Sequence, residues 1–415
     1  MNMNDIFENK DRFYLAPSGA GKAGLAGSMV LGLGLLGFAF AKLGPQQFWG
    51  SYLFNLFFFF SLGLGAMAMC AMQDVVGAVW ARPIKRMWEG FGAFVPVAAV
   101  MFFIFFICVV FDIMGAGSVY IWMKNPAMLD HFYGKKDWLI KYPWFFRNLA
   151  ILTVLSFLVL WQMKQSLNRD LMLLAGDRDG ALKEGAHTRV KTNFWSGGIL
   201  VVYGVGLTFF GIDVIKSLSP LWFSTLFGGW QFAIMMQTLF AISLIVMFAL
   251  KKTEVGKVIS RQQFHDCGKL MFGFTVFFAY TTFAHILTYW YGNMPEETEY
   301  YIHRLHGVWK DILIVIFFIA FVIPLYSLIF QAAKWTSWIT IPLASMILIG
   351  QWLTYLILVM PEMGPFNGMF YVGAIGGFLL FVGLFFSTFF WFAKKYPMVP
   401  IADPLLGDGL KLGHH

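Results

Sequence analysis

Charge is scarce along this 415-residue chain: Asp, Glu, Lys and Arg make up 13% of it, against 59% hydrophobic residues and a mean hydropathy of +0.68. A soluble globule carries roughly a quarter charged residues, so that class is excluded and an all-α integral membrane protein is the expectation. Cysteine is nearly missing as well. Cys70, Cys108 and Cys267 stand far apart with no CxxC or CxxCH among them, which excludes a covalently attached c-type haem or an iron–sulfur cluster held by this chain alone. Small packing residues are the plain reading of all three. Histidine inside apolar runs is equally rare. Only His285 lies deep; His131, His187, His265, His303, His306, His414 and His415 fall in connections or the tail. A b-type cytochrome needs paired axial histidines within its spans, so electrons have no residence in this chain and no metal site is expected.

What the chain does have is length in its apolar runs. Ten stretches of roughly 18 or more apolar residues lie near 24–43, 49–72, 90–113, 144–163, 193–219, 222–250, 269–293, 307–330, 336–360 and 369–393. Helices are the only sensible reading, because barrel strands would be about ten residues long with alternating polarity. The expected organisation is an N-terminal segment 1–23, a transmembrane domain 24–393 and a C-terminal tail 394–415. The longest polar connections are 114–143 and 164–192.

An even number of spans puts both ends on one side. Most of the 30 lysines and arginines, from Lys10 and Arg12 to Lys394, Lys395 and Lys411, fall on that side, so both termini are expected in the cytoplasm. The net charge of +8 therefore reports topology rather than nucleic-acid binding. No removable leader is expected, since residues 1–22 are polar and the first apolar run is long enough to span. The glycine-rich PSGAGKAG at 17–24 fails the phosphate-loop pattern: Ala16 stands where the first glycine belongs and Ala23 where Ser or Thr must be.

Polar groups inside the runs carry the functional expectation. Thr281, His285 and Tyr289 recur every four residues, with Thr288 and Gly292 alongside, so one polar stripe descends a helix face. Counting back from Pro295 at about 1.5 Å per residue puts His285 roughly 15 Å below the surface, where an ionisable group is costly. A histidine hydrogen-bonded between helices is the plainer alternative. Beyond Pro295, Glu296, Glu297, Glu299, Tyr300, Tyr301, His303, Arg304 and His306 mix acids, phenols and bases, or simply form a solvated connection.

In span five, Tyr203, Gly206, Phe210, Asp213 and Ser217 share a face, and Asp213 could pair with Lys216 three residues on. Asp112 closes span three on the same side; Gln351, Tyr355 and Glu362 line one face of span nine. Asp74, with Gln73, ends span two on the side of the termini, close to Arg82. Pro220, Pro295 and Pro361, the last two inside Met-Pro-Glu, hint at an internal duplication, although proline is also a common helix terminator. If these groups converge, they form an outward half-pore of acids, phenols and one histidine. Such a set suits proton carriage or a quinol head group, which needs a base for each hydroxyl proton, aromatic walls and a membrane setting for its tail.

Two strings point to a family. LTYWYGNMPEETEYYIHR after span seven and DVIKSLSPLWFSTLFGGW between spans five and six resemble segments of the NrfD-like (polysulfide reductase membrane anchor) superfamily, specifically the second quinone-binding membrane subunits of bacterial alternative complex III. The resemblance covers most of the chain. It implies two four-helix bundles plus two peripheral helices in a bacterial inner membrane. It further implies a sister quinone-binding subunit, an iron–sulfur subunit and multihaem cytochrome c subunits passing electrons from menaquinol or ubiquinol to a cytochrome c or an attached terminal oxidase. Haem c and iron–sulfur clusters would then sit only in those partners, with quinone and lipids meeting this chain. The family's polar membrane residues would fall on Asp213, His285 and the Glu296–Arg304 segment. A proton-coupled transporter and a purely structural anchor remain the competing classes.

Overall fold

A computed structural model describes residues 3–8, 10–130, 134–364 and 368–412. Ten helices are long and apolar enough to cross a membrane, and no strand occurs among the described residues, so the chain is an all-α, multi-pass membrane protein. They are α1 (Gly19–Leu43), α2 (Pro45–Val75), α3 (Arg82–Val110), α4 (Lys141–Leu174), α5 (Arg178–Val214), α6 (Phe227–Leu250), α7 (Arg261–Gly292), α8 (Gly307–Ile329), α9 (Ser337–Val359) and α10 (Phe370–Lys395).

Each expected span corresponds to one helix. The glycine-rich start is simply a helix N-terminus, where Ser18 accepts a hydrogen bond from the Gly21 N–H at 3.1 Å. Residues 164–192, expected as a polar connection, are instead mostly helix: α4 continues to Leu174 and α5 begins at Arg178. Good helix formers fill that stretch, and Asp177 caps α5 by accepting from the Gly180 N–H at 2.8 Å. Periodicity confined to apolar residues could not register it.

Helix α2 is the axis. Its apolar window is wholly buried, that of α6 nearly so, and α2 touches α1, α3, α5, α6, α9 and α10. Helices α2, α3, α4 and α5 contact one another in sequence and α5 returns to α2; α6, α7, α8 and α9 do the same, with α9 returning to α6. Helices α1 and α10 pair outside these eight and lie on α2. Their crossing depends on glycine, for a Cβ on Gly32 would stand 2.5 Å from the Leu380 nitrogen. In lipid such close backbone approach replaces the hydrophobic drive that water would supply.

Two helices are broken by proline. Pro96 cannot donate to the Gly92 carbonyl, and α3 divides at Ala93 into Arg82–Gly92 and Phe94–Val110. In α8, Pro324 leaves the Ala320 carbonyl without its regular partner, and Phe317–Val322 widens into a π-helix. Gln237 from α6 fills the vacancy, donating to Ala320 O and to Thr275 Oγ1, both at 2.9 Å. Gln351 donates to Gln237 in turn, so α6, α7, α8 and α9 meet at one polar node. The two chain ends also meet: Leu15 N–H donates to Ala393 O at 2.9 Å and Met398 N–H to Phe13 O at 2.8 Å.

Candidate functional site

The polar stripe of α7 points inward as its spacing predicts: Thr281, His285 and Tyr289 are all buried. Ser260 and Gln263 cap the start of α7 reciprocally, and Asn293 ends it in a left-handed conformation (φ 43°). Pro295 then opens a short helix, Pro295–Arg304, which turns back over the end of the bundle before Gly307 starts α8.

His285 Nε2 lies 2.8 Å from Ser224 Oγ, from the connection between α5 and α6. Trp230 and Trp222 meet the imidazole edge-on, at 5.4 and 6.3 Å between ring centres. Tyr289 donates its hydroxyl to Phe223 O, and Lys216 Nζ donates to Ser224 O at 3.4 Å. Trp222 stacks flat on Tyr300 at 4.0 Å, and the Arg304 guanidinium covers the Tyr300 ring at 3.5 Å.

Arg304 is a hub. It donates to the Ile357 and Leu358 carbonyls in the last turn of α9, at 3.1 and 3.4 Å, and to Glu362 at 2.9 Å. Its charge thus sits against the negative end of the α9 dipole. Glu362 also accepts from Ser219 Oγ at 2.7 Å. Burial pushes the Tyr300 phenol up to about 12, with Arg304 working against that rise. Burial raises Tyr301 as well.

These elements enclose a cavity of about 570 Å³ between α7, α8, α9 and the short helix. Its walls are mainly apolar, with His285, Tyr289, Thr354 and Arg304 as polar points. Ile286, Trp290, Ile302 and Leu305 at its edge are exposed, so it opens to the protein surface between apolar side chains. Size, apolar walls and few converging polar groups are the marks of a small-molecule site.

The other expected residues lie elsewhere. Asp213 is fully buried at the end of α5, outside the cavity lining. Its partner is not Lys216 but Arg147 of α4, at 2.6 Å, joined by Trp138 Nε1 at 2.7 Å and Asn148 at 3.2 Å. Lys216 is drawn away to the Ser224 carbonyl. Asp112 is half exposed; it accepts from the Gly117 N–H at 2.8 Å and shapes a turn. Tyr203 donates to Gln162 at 3.1 Å and Tyr355 to Ser61 at 3.4 Å, both in the interior. Gln351 belongs to the polar node above. The half-pore expected from all these groups is therefore a single chamber around His285, Tyr289 and Arg304. The side chains of Glu296 and Glu297 lie outside the described residues.

Asp74 pairs with Arg82 at 2.7 Å, as its position suggests, and with Lys85 at 2.6 Å. The pair belongs to a larger buried network on the side of the chain ends. Arg86 joins Glu89 and Asp170, while Arg169 and Arg82 reach Asp403 at 2.6 and 3.4 Å. Burial alone would raise the Asp403 carboxyl, but Arg169, Arg82, Lys85 and the Leu405 N–H hold it well below the usual range.

Trp222, Ser224 and Trp230, which lie in the DVIKSLSPLWFSTLFGGW string, and Arg147 take their places around the polar groups only through the fold. A serine- and tryptophan-bearing connection and an arginine two turns into an apolar helix were the available signals. No family model matches the chain, and no curated protein matches it.

Proposed function

We propose that the chain is a membrane subunit of a quinol:cytochrome c, or other quinol:electron-acceptor, oxidoreductase of a bacterial inner membrane, of the NrfD-like kind suggested by its sequence. The cavity around His285 would hold the quinol head group. One observation carries this reading: a chamber of about 570 Å³, edged by exposed apolar side chains and walled by aromatic rings, has an imidazole in its wall. A lipid-borne ring carrying two hydroxyls fits such a chamber. Closed contact circuits of four helices, with α1 and α10 outside, support the two-bundle arrangement implied by the resemblance. Lysine and arginine bias supports cytoplasmic termini, with the cavity on the outward face.

In this reading His285 takes a hydroxyl proton and Ser224, on its far nitrogen, orients the ring. Arg304 sets the shape of the wall and the position of Tyr300 rather than moving a proton. A redox centre in a partner subunit would be the oxidant that takes the two electrons, and His285 would accept the two hydroxyl protons one after the other, releasing each outward past Ser224 and Lys216 before taking the next. The π-helix in α8 would also suit a proton-coupled transporter, but the cavity lies at one end of one helix set, away from the axis where a transporter binds its substrate.

The test is purification of the native assembly in mild detergent, with quinol oxidation assayed for the wild type and for His285→Gln. Co-purifying haem and iron–sulfur subunits, with turnover lost in the variant, is the expected result. A lone chain, or full turnover in the variant, overturns the proposal.

A further inference from the structure

A second large cleft lies on the side of the chain ends, between α3, α4 and α10, with a volume of about 650 Å³. Its floor exists because of the proline break: Ala93, Pro96 and Val97 line it where α3 divides. From α4 come Leu160, Lys164, Asn168 and Leu171, spaced for one helix face; from α10 come Leu384, Thr388 and Trp391. Tyr396 closes the inner end.

Length and charge decide what fits. Leu160 to Leu171 covers about 16 Å of helix, half of a hydrocarbon core about 30 Å thick. A transmembrane helix from a partner would need a groove of the full thickness, whereas one leaflet's lipid needs half. Polar side chains run from Lys164, Ser387 and Thr388 inward to Asn168 and Tyr396, and the end toward the membrane centre, at Val97, Leu160 and Leu384, is apolar. Among the described residues no carboxylate lines the cleft. Lys164 is exposed and makes no ion pair among the described residues. Lys395 lies over the two lining rings, 5.4 Å from Trp391 and 5.3 Å from Tyr396. The acids and bases of the nearby buried network are already matched to one another, and the exposed Lys164 and Lys395 stand outside it.

From this we infer that the cleft is a binding site for one anionic phospholipid of the leaflet on the side of the chain ends. Its phosphate lies between Lys164 and Lys395, and its acyl chains run along Leu160, Val97 and Leu384 toward the membrane centre. Basic pockets between spans at this depth are the recognised setting for anionic head groups. The site is separate from the His285 cavity and stands whether or not quinol binds there.

The experiment is native mass spectrometry of the full-length chain, delipidated in detergent and offered phosphatidylglycerol or phosphatidylcholine. Wild-type protein should retain phosphatidylglycerol in preference, and Lys164→Ala with Lys395→Ala should lower that retention about fivefold per lysine. Retention of phosphatidylcholine should not change, which also checks that the variant is folded. Excess inorganic phosphate should leave the bound phosphatidylglycerol in place. Equal retention of the two lipids by the wild type, unchanged retention in the double variant, or displacement by phosphate would each overturn the assignment, the last showing an anion site only.

Discussion

In the α2–α5 set, Asp213 ends α5 against Arg147 from the first turns of α4, with Trp138 lying 3.9 Å over the guanidinium. In the α6–α9 set, Glu362 follows α9 against Arg304 from just before α8, with Tyr300 lying 3.5 Å over it. Acid, arginine and aromatic ring therefore recur at the same end of each set, which gives the duplication hinted at by Pro220, Pro295 and Pro361 a physical counterpart. The surroundings differ. Asp213 has no exposed surface and accepts from three side chains, whereas Glu362 keeps a quarter of its side chain exposed and Arg304 lines the cavity. One set uses the device to lock its helices; the other uses it to frame a chamber beside His285. Similar polar chemistry thus divides into scaffold and site according to how much space has been left next to it, about 200 Å³ beside Trp138 and Ser217 against about 570 Å³ beside Arg304.

If that division holds, damage to the first set should appear in stability and damage to the second in turnover. The largest effect belongs to Arg147→Ala, which leaves the buried Asp213 carboxylate with Trp138 and Asn148 but without its cation; Arg147 is itself about a quarter exposed, so the cost expected is about 3 kcal/mol, the low end for breaking a buried pair. Thermal unfolding in detergent measures it, and a variant as stable as wild type would dissolve the contrast. His285→Gln should change the melting temperature little but lower quinol turnover about a hundredfold or more, as loss of a positioned proton acceptor does. That is about 2.7 kcal/mol of barrier. Similar turnover losses in both variants at matched folded protein would remove the distinction between scaffold and site.

How far the sequence showed this depends on the distance over which each feature is encoded. The spans were legible because an apolar run is a local property, and the His285 stripe because four-residue spacing is one too. Asp213 stands out as an acid on one face of an apolar run, but its partner does not, since Arg147 is distant in sequence and Lys216 is three residues away. Nothing local says that Lys216 turns to the Ser224 carbonyl. Arg304 was noted as charge in a connection, and its contact with the α9 carbonyls depends on how the short helix folds back. Asp403 was passed over in a polar tail, although tertiary folding buries it between Arg82 and Arg169.

A smaller effect probes the second set alone. Glu362→Gln keeps a side chain able to accept from Arg304 and Ser219 but removes the charge. About 1.5 kcal/mol of destabilisation is expected, the low end for a hydrogen bond to a charged group, because this carboxylate is partly in water. Unfolding in denaturant reads it, and a loss as large as that of Arg147→Ala would make the two ion pairs equivalent after all.

The smallest effect is one of pH, and it separates the sets by what covers each arginine. Trp138 has no proton to lose, whereas burial holds the Tyr300 phenol up to about 12. A phenol whose folded-state value lies above its unfolded value of about 10 favours the folded state in its neutral form. Its contribution is fully present below pH 10 and fades as pH rises through 10 to 12, where the unfolded chain ionises first. Wild-type stability should therefore fall across that window by more than that of Tyr300→Phe, which keeps the ring under Arg304 and has no proton to lose. Coincident pH profiles for the two proteins, followed by thermal unfolding at fixed salt, would mean that the phenol is as well hydrated when folded as when unfolded. The second set would then be no more open to titration than the first.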